Sequence, residues 1–92
     1  MITIMRHSER QDRELPKKWK KSKRYKENKY DTPITKNGEK IAKRAILKLF
    51  DSGYKNIDYI YCSPLTRCIQ TCLIAKEEIK KKILELLKFD LV

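Results

Sequence analysis

The sequence predicts an α/β fold built as a β–α–β–α unit, with strands 1 and 2 parallel and the helices packed on the sheet. Three observations carry this. Residues 1–6 form a mostly apolar run containing Ile and Thr. Residues 57–62, Ile57-Asp58-Tyr59-Ile60-Tyr61-Cys62, alternate in polarity and are rich in β-formers. Between and after these runs, apolar residues recur at helical spacing. Alternation of this kind favours a parallel pair joined by a right-handed crossover.

Each element has a local reason. The run at 1–6 reads as a short buried strand. From His7 to Pro33 no clean period appears, and nine basic residues lie between Arg13 and Lys29 with Trp19 and Tyr25 among them. This stretch reads as a basic loop insertion (13–30) with one helical turn around Leu15–Lys21. Residues 36–52 turn helical, gathering Ile41, Ala42, Ala45, Ile46, Leu49 and Phe50 on one face. Thr35 is its expected N-cap and Gly53 its expected stop. After the strand at 57–62, Ser63 is the expected cap of the next helix, and Pro64 suits a first helical turn because its missing N–H would go unpaired there. A stripe of Leu65, Ile69, Cys72, Ile79, Ile83 and Leu86 follows, in one helix to about Lys88 or in two pieces broken near Lys80.

A chain of 92 residues is one small domain or part of one. It buries only roughly 60–65% of its unfolded surface, so its stability margin is thin. The formal charge of +11 selects anionic partners: phosphorylated small molecules, phosphoproteins, nucleic acid or acidic membrane. No apolar run approaches the roughly 20 residues of a membrane span, and the N-terminal run is too short for a signal-peptide core. The expected location is cytoplasmic. Cys62, Cys68 and Cys72 are an odd set without framework spacing, read as reduced thiols.

Ligands of open parallel sheets bind beyond the carboxyl ends of the strands. Two segments fall there, Arg6-His7-Ser8-Glu9-Arg10 and Ser63-Pro64-Leu65-Thr66-Arg67. Arg6, Arg10 and Arg67 could converge on one dianion with bidentate forks. Arg67 would stand in the first turn of a helix whose N-terminus favours negative charge. His7 among them could attack phosphorus as a neutral imidazole. The bland alternative is that His7 is an ordinary surface histidine and Ser63-Pro64 an ordinary helix start.

Three blocks resemble the histidine phosphatase superfamily, the phosphoglycerate-mutase-like fold. Met5-Arg6-His7-Ser8 is similar to its Arg-His-Gly signature, and Glu9-Arg10-Gln11-Asp12 is similar to the UBASH/TULA-type branch. Tyr30-Asp31-Thr32-Pro33-Ile34-Thr35-Lys36-Asn37-Gly38 resembles the family's D-x-P-L-T-x-x-G entry to a long helix. Ser63-Pro64-Leu65-Thr66-Arg67-Cys68-Ile69-Gln70-Thr71 resembles its S-P-L-x-R-x-x-Q-T block. The resemblance implies phosphate-ester hydrolysis or transfer through a phosphohistidine, without metal or other cofactor. It makes His7 the nucleophile and Arg6, Arg10 and Arg67 the phosphate-binding residues.

The chain departs from that pattern at two points. Ser8 stands where the family has glycine, so its Cβ is expected to add strain or narrow the pocket. The family also draws a second histidine and an acidic proton donor from its C-terminal half, whereas His7 is the one histidine here and Glu85 is a poor stand-in. The 92 residues therefore read as a single partial domain, weak or inactive alone, with exposed sheet edges inviting self-association. The alternative is a non-catalytic module that binds phosphate or another anionic partner. Nucleic acid is a second partner class, with Trp19 and Tyr25 as stacking surfaces. Against it stands a solvated insertion that steers a phosphorylated substrate. The cysteines match no zinc spacing and read as buried small residues. The Ile79–Leu87 stripe reads as packing rather than a membrane surface.

Overall fold

The computed structural model describes residues 4–53, 57 and 59–90, with side chains described up to Glu85. Five helices occur among them: α1 (Gln11–Glu14), α2 (Pro16–Lys20), α3 (Lys23–Glu27), α4 (Lys36–Asp51) and α5 (Thr66–Asp90). The basic stretch read as a loop with one turn is thus a lobe of three short helices. Trp19 lies buried in the lobe and meets Tyr25 edge to face, with ring centroids 5.8 Å apart. Ser22 caps α3 by accepting from the Tyr25 N–H, and donates its own hydroxyl to the Trp19 carbonyl.

α4 forms where its periodicity places it. The Thr35 hydroxyl accepts from Gly38 N–H at 2.8 Å, and Gly53, at φ +94°, ends the helix. Its buried face is Gly38, Ala42, Ile46 and Phe50 at four-residue spacing, whereas Ile41 and Ala45 are exposed. Gly38 is required by close approach: a Cβ there would lie 2.9 Å from the Glu9 carbonyl oxygen. α5 runs unbroken, without the break near Lys80. Ile46 and Phe50 of α4 pack against Ala75 and Ile79 of α5, with Ile57 half-buried beside them. The predicted α5 stripe is corrected by this contact. Thr71, Ala75 and Ile79 are buried, Ile69 and Ile83 are largely exposed, and Leu86 lies outside the described side chains.

The predicted α/β class is overturned. No strand or sheet forms among the described residues, which are mostly helical; the single β contact is an isolated antiparallel bridge between Arg10 and Ile34. Residues 4–6 of the first predicted strand and the described part of 57–62 make no ladder; residues 1–3 and Asp58 lie outside the described residues. The reason is burial. A two-stranded pair is marginal on its own, and a parallel pair needs cover on both faces. Here α4 and α5 spend their apolar faces on each other. Tyr59 and Tyr61, stacked on one another, remain 78% and 90% exposed. The radius of gyration, 15.6 Å, exceeds the ~12 Å of a compact chain this long, because α5 projects past α4.

Candidate functional site

The first block and the third meet across the turn that opens α5. Ser8 N–H donates to Thr71 Oγ1 at 3.0 Å, and the Thr71 hydroxyl donates in turn to the Arg67 carbonyl at 2.8 Å. Two hydrogen bonds thus join the residue after His7 to Arg67, although 63 positions separate Ser8 from Thr71. Ser8 is buried, and its hydroxyl donates to the Gly38 carbonyl. The strain expected of a side chain there does not arise, since no described non-glycine residue has positive φ. Its oxygen instead locks the first block onto α4.

His7 is half-buried, and its Nδ1 lies 2.9 Å from the Ser8 carbonyl. A proton on Nδ1 completes that bond and leaves the lone pair on Nε2. Arg67 is half-buried too. Its Nη1 donates to the Tyr30 carbonyl at 3.2 Å, and its Nε is buried with no hydrogen-bond partner among the described residues. Such an orphaned donor is costly unless an acceptor reaches it. Arg10 is held differently: Nε and Nη2 form a fork on the Asp12 carboxylate at 3.0 and 2.7 Å. Arg6, exposed, makes no hydrogen bond to the described residues.

Asp31 is the site residue that sequence reasoning missed, although it stands in the second block. Its carboxylate accepts from Thr66 N–H at 2.8 Å and from the Thr66 hydroxyl at 2.6 Å, and lies 3.6 Å from Arg24. Asp31 therefore caps α5, and Ser63, whose Oγ is 3.4 Å from Leu65 N, does not. The anion at this helix end is the protein's own. Hydrogen bonds from Thr66, aided by Arg24 and Arg67, hold the Asp31 carboxyl below its ordinary 3.8 against the opposing effect of burial. The unfolded chain then binds more protons, so the stabilisation is fully present above pH 3.8 and is lost as pH falls through the lowered value. Thermal melts of the wild type should lose stability below about pH 4, and Asp31→Asn should flatten that limb.

Glu9 fixes the other flank by accepting from the Thr35 hydroxyl at 2.6 Å and from Asn37 Nδ2 at 3.1 Å. The Gln70 side chain accepts from Ile34 N–H at 2.8 Å. These are Glu, Thr, Asn and Gln positions of the three blocks, and all of them act as clamps between segments. Cys72 is half-buried; burial, then its neighbour Cys62, pushes its thiol up, so it is a poor thiolate. Among the described residues no three His, Cys, Asp or Glu side chains converge as a metal site. No helix among them is long and apolar enough to cross a membrane. An open apolar groove of about 300 Å³, bordered by Ile57, Ile60, Ile79 and Ile83, lies elsewhere. Ile79 is roughly 18 Å along α5 from Arg67.

Residues 2–89 match the histidine phosphatase superfamily (branch 1), and the chain belongs to that family. Among curated proteins it is similar to an uncharacterized phosphoglycerate mutase family protein, R708, of Acanthamoeba polyphaga mimivirus. The two are 40% identical over 70 residues, which is 76% of this chain and 33% of that protein. The chain thus aligns with about a third of the relative's length. No solved structure matches it.

Proposed function

We propose that the chain carries the nucleophile and part of the phosphate clamp of a phosphohistidine-type phosphatase, as one partial histidine-phosphatase domain. The observation that supports this reading is the Ser8–Thr71–Arg67 relay, which ties the residue after His7 to the Arg67 backbone, together with an Arg67 Nε that is buried and has no partner among the described residues. Family membership supports the chemistry. In this reading His7 Nε2 attacks phosphorus, the bond to the ester oxygen breaks, and water later cleaves the phosphohistidine. Arg67 stabilises the equatorial oxygens. Arg6 adds charge from an exposed position, and Arg10 contributes through Nη1, since Asp12 holds its fork. The Glu9-Arg10-Gln11-Asp12 run supports a place near the UBASH/TULA-type branch, with a phosphorylated small molecule or phosphoprotein as substrate.

The leaving oxygen needs a proton, and these 92 residues offer no second imidazole. Glu85 lies roughly 27 Å along α5 from Arg67, and is engaged with Lys82 at 3.4 Å. General acid catalysis typically contributes about 10²–10⁴-fold. The 92-residue chain should therefore turn over an aryl phosphate by at least that factor more slowly than a family member with both groups, and His7→Ala should remove what remains. A normal rate that vanishes in His7→Ala would overturn the incompleteness. The buried Arg67 Nε, without a partner among the described residues, also supports a second reading, a module that binds phosphate without hydrolysing it. Vanadate binding without turnover would support that reading over the first.

A further inference from the structure

We propose that the α1–α3 lobe binds the additional phosphate groups of a small polyphosphorylated substrate whose scissile phosphate enters the His7–Arg67 site. This rests on the reading of that site given above. Residues 13–29 hold nine basic side chains and two acidic ones, Glu14 and Glu27, so nine minus two gives +7 of the chain's +11 within 17 positions.

The charge is displayed on a folded platform. Trp19 is 3% exposed, with Tyr25 against its edge. In the same segment Lys17, Lys18, Lys20, Lys21, Lys23 and Lys26 are exposed, and none is in an ion pair with the described residues. Like charges held this close raise each other's energy, and a polyanion relieves that repulsion.

The lobe is also attached to the site. Arg24 of α3 donates to Thr66 Oγ1 at 2.6 Å, one residue before Arg67, and pairs with Asp31. Arg67 in turn donates to the carbonyl of Tyr30, just past α3. A phosphate held at Arg67 therefore has the basic lobe as its neighbour. The lobe's largest ring is buried, so Trp19 offers no face on which a nucleobase could stack. The apolar groove near Ile79 is far along α5 and cannot serve an apolar part of the same ligand. A net +7 within 17 positions, with six of its lysines free of ion pairs to the described residues, suits clustered phosphates.

The test uses inorganic tripolyphosphate and orthophosphate as probes, titrated calorimetrically at low salt. The proteins are the wild type, Arg67→Ala, and a variant with Lys17, Lys18, Lys20 and Lys21 all changed to Gln. The wild type should bind tripolyphosphate about 10- to 100-fold more tightly than orthophosphate, an advantage that shrinks in molar salt as the Debye length falls to about 3 Å. The Gln variant should lose most of the advantage while keeping its orthophosphate affinity. Lys→Arg changes at the same four positions should keep it, which separates charge from folding. An advantage undiminished in the Gln variant overturns the lobe and leaves the His7–Arg67 site standing. Tripolyphosphate binding that ignores Arg67→Ala overturns the shared site and this proposal with it. A single-stranded oligonucleotide that binds more tightly than tripolyphosphate overturns it in favour of nucleic acid.

Discussion

Arg67→Ala is expected to weaken vanadate binding by about 10- to 150-fold, the equivalent of ~1.5–3 kcal/mol for a charge-assisted hydrogen bond. In the folded chain the Arg67 guanidinium is only partly engaged. Nη1 spends one hydrogen bond on an exposed carbonyl, that of Tyr30, where water can take over. Nε spends none, although it is buried. Removing the side chain therefore costs the fold little and costs a bound oxyanion a donor already desolvated. Arg67→Lys should fall between, since it keeps the charge but loses the planar fork. Arg6→Ala should have a smaller effect, because an exposed cation acts through screened attraction. Vanadate titrations followed by NMR would measure all three. Equal affinity in wild type and Arg67→Ala would show that the orphaned nitrogen faces no ligand.

What the sequence discloses depends on how local its cause is. Thr35 and Gly53 bracket α4 as predicted because a cap and a left-handed stop involve only a few neighbouring residues. Spacing alone gives Ala42, Ile46 and Phe50 of the buried face, but it also places Ile41 and Ala45 there, and these are exposed. The sheet does not, since a strand is defined by a partner and by layers that cover it. Tyr59 and Tyr61 alternate as a strand should, yet have neither. The basic stretch hides its helices for a related reason: α1–α3 are four and five residues long, too short for a period, and depend on burying Trp19.

The site divides in the same way. His7 and Arg67 stand out by residue type and order, but the contact between their segments is carried by Ser8 and Thr71, a small pair that no charge pattern singles out. Asp31 was visible as a letter of the second block and not as the cap of a helix that begins 35 residues later. Ser63, the nearer and more conventional cap, loses to it because the Asp31 carboxylate accepts from both the Thr66 amide and hydroxyl, and Arg24 lies beside the pair. Electrostatics at this helix end thus couple the second block to the third. A phosphate bound as proposed would share the helix end with a carboxylate already seated there.

Thr71→Val should lower the melting temperature by about 4–24 °C, on the basis of ~1–3 kcal/mol for a buried donor left without an acceptor and roughly 4–8 °C per kcal/mol in a domain this small. Valine nearly matches threonine in shape, so no cavity forms and the hydroxyl is what is tested. Two bonds disappear with it. The Arg67 carbonyl retains its place in the helical ladder, so losing the Thr71 hydroxyl there is cheap. Ser8 N–H has Thr71 Oγ1 as its partner, and Ser8 is buried, so that loss is felt in full. Thr71→Ser should restore most of the stability because it restores the acceptor. Below the melting range, Thr71→Val should also bind vanadate less tightly, since His7 and Arg67 would be held by separate segments. A Val variant that melts and binds like the wild type would show that the two blocks are kept together by packing on α4 instead, through Ser8 and Gly38.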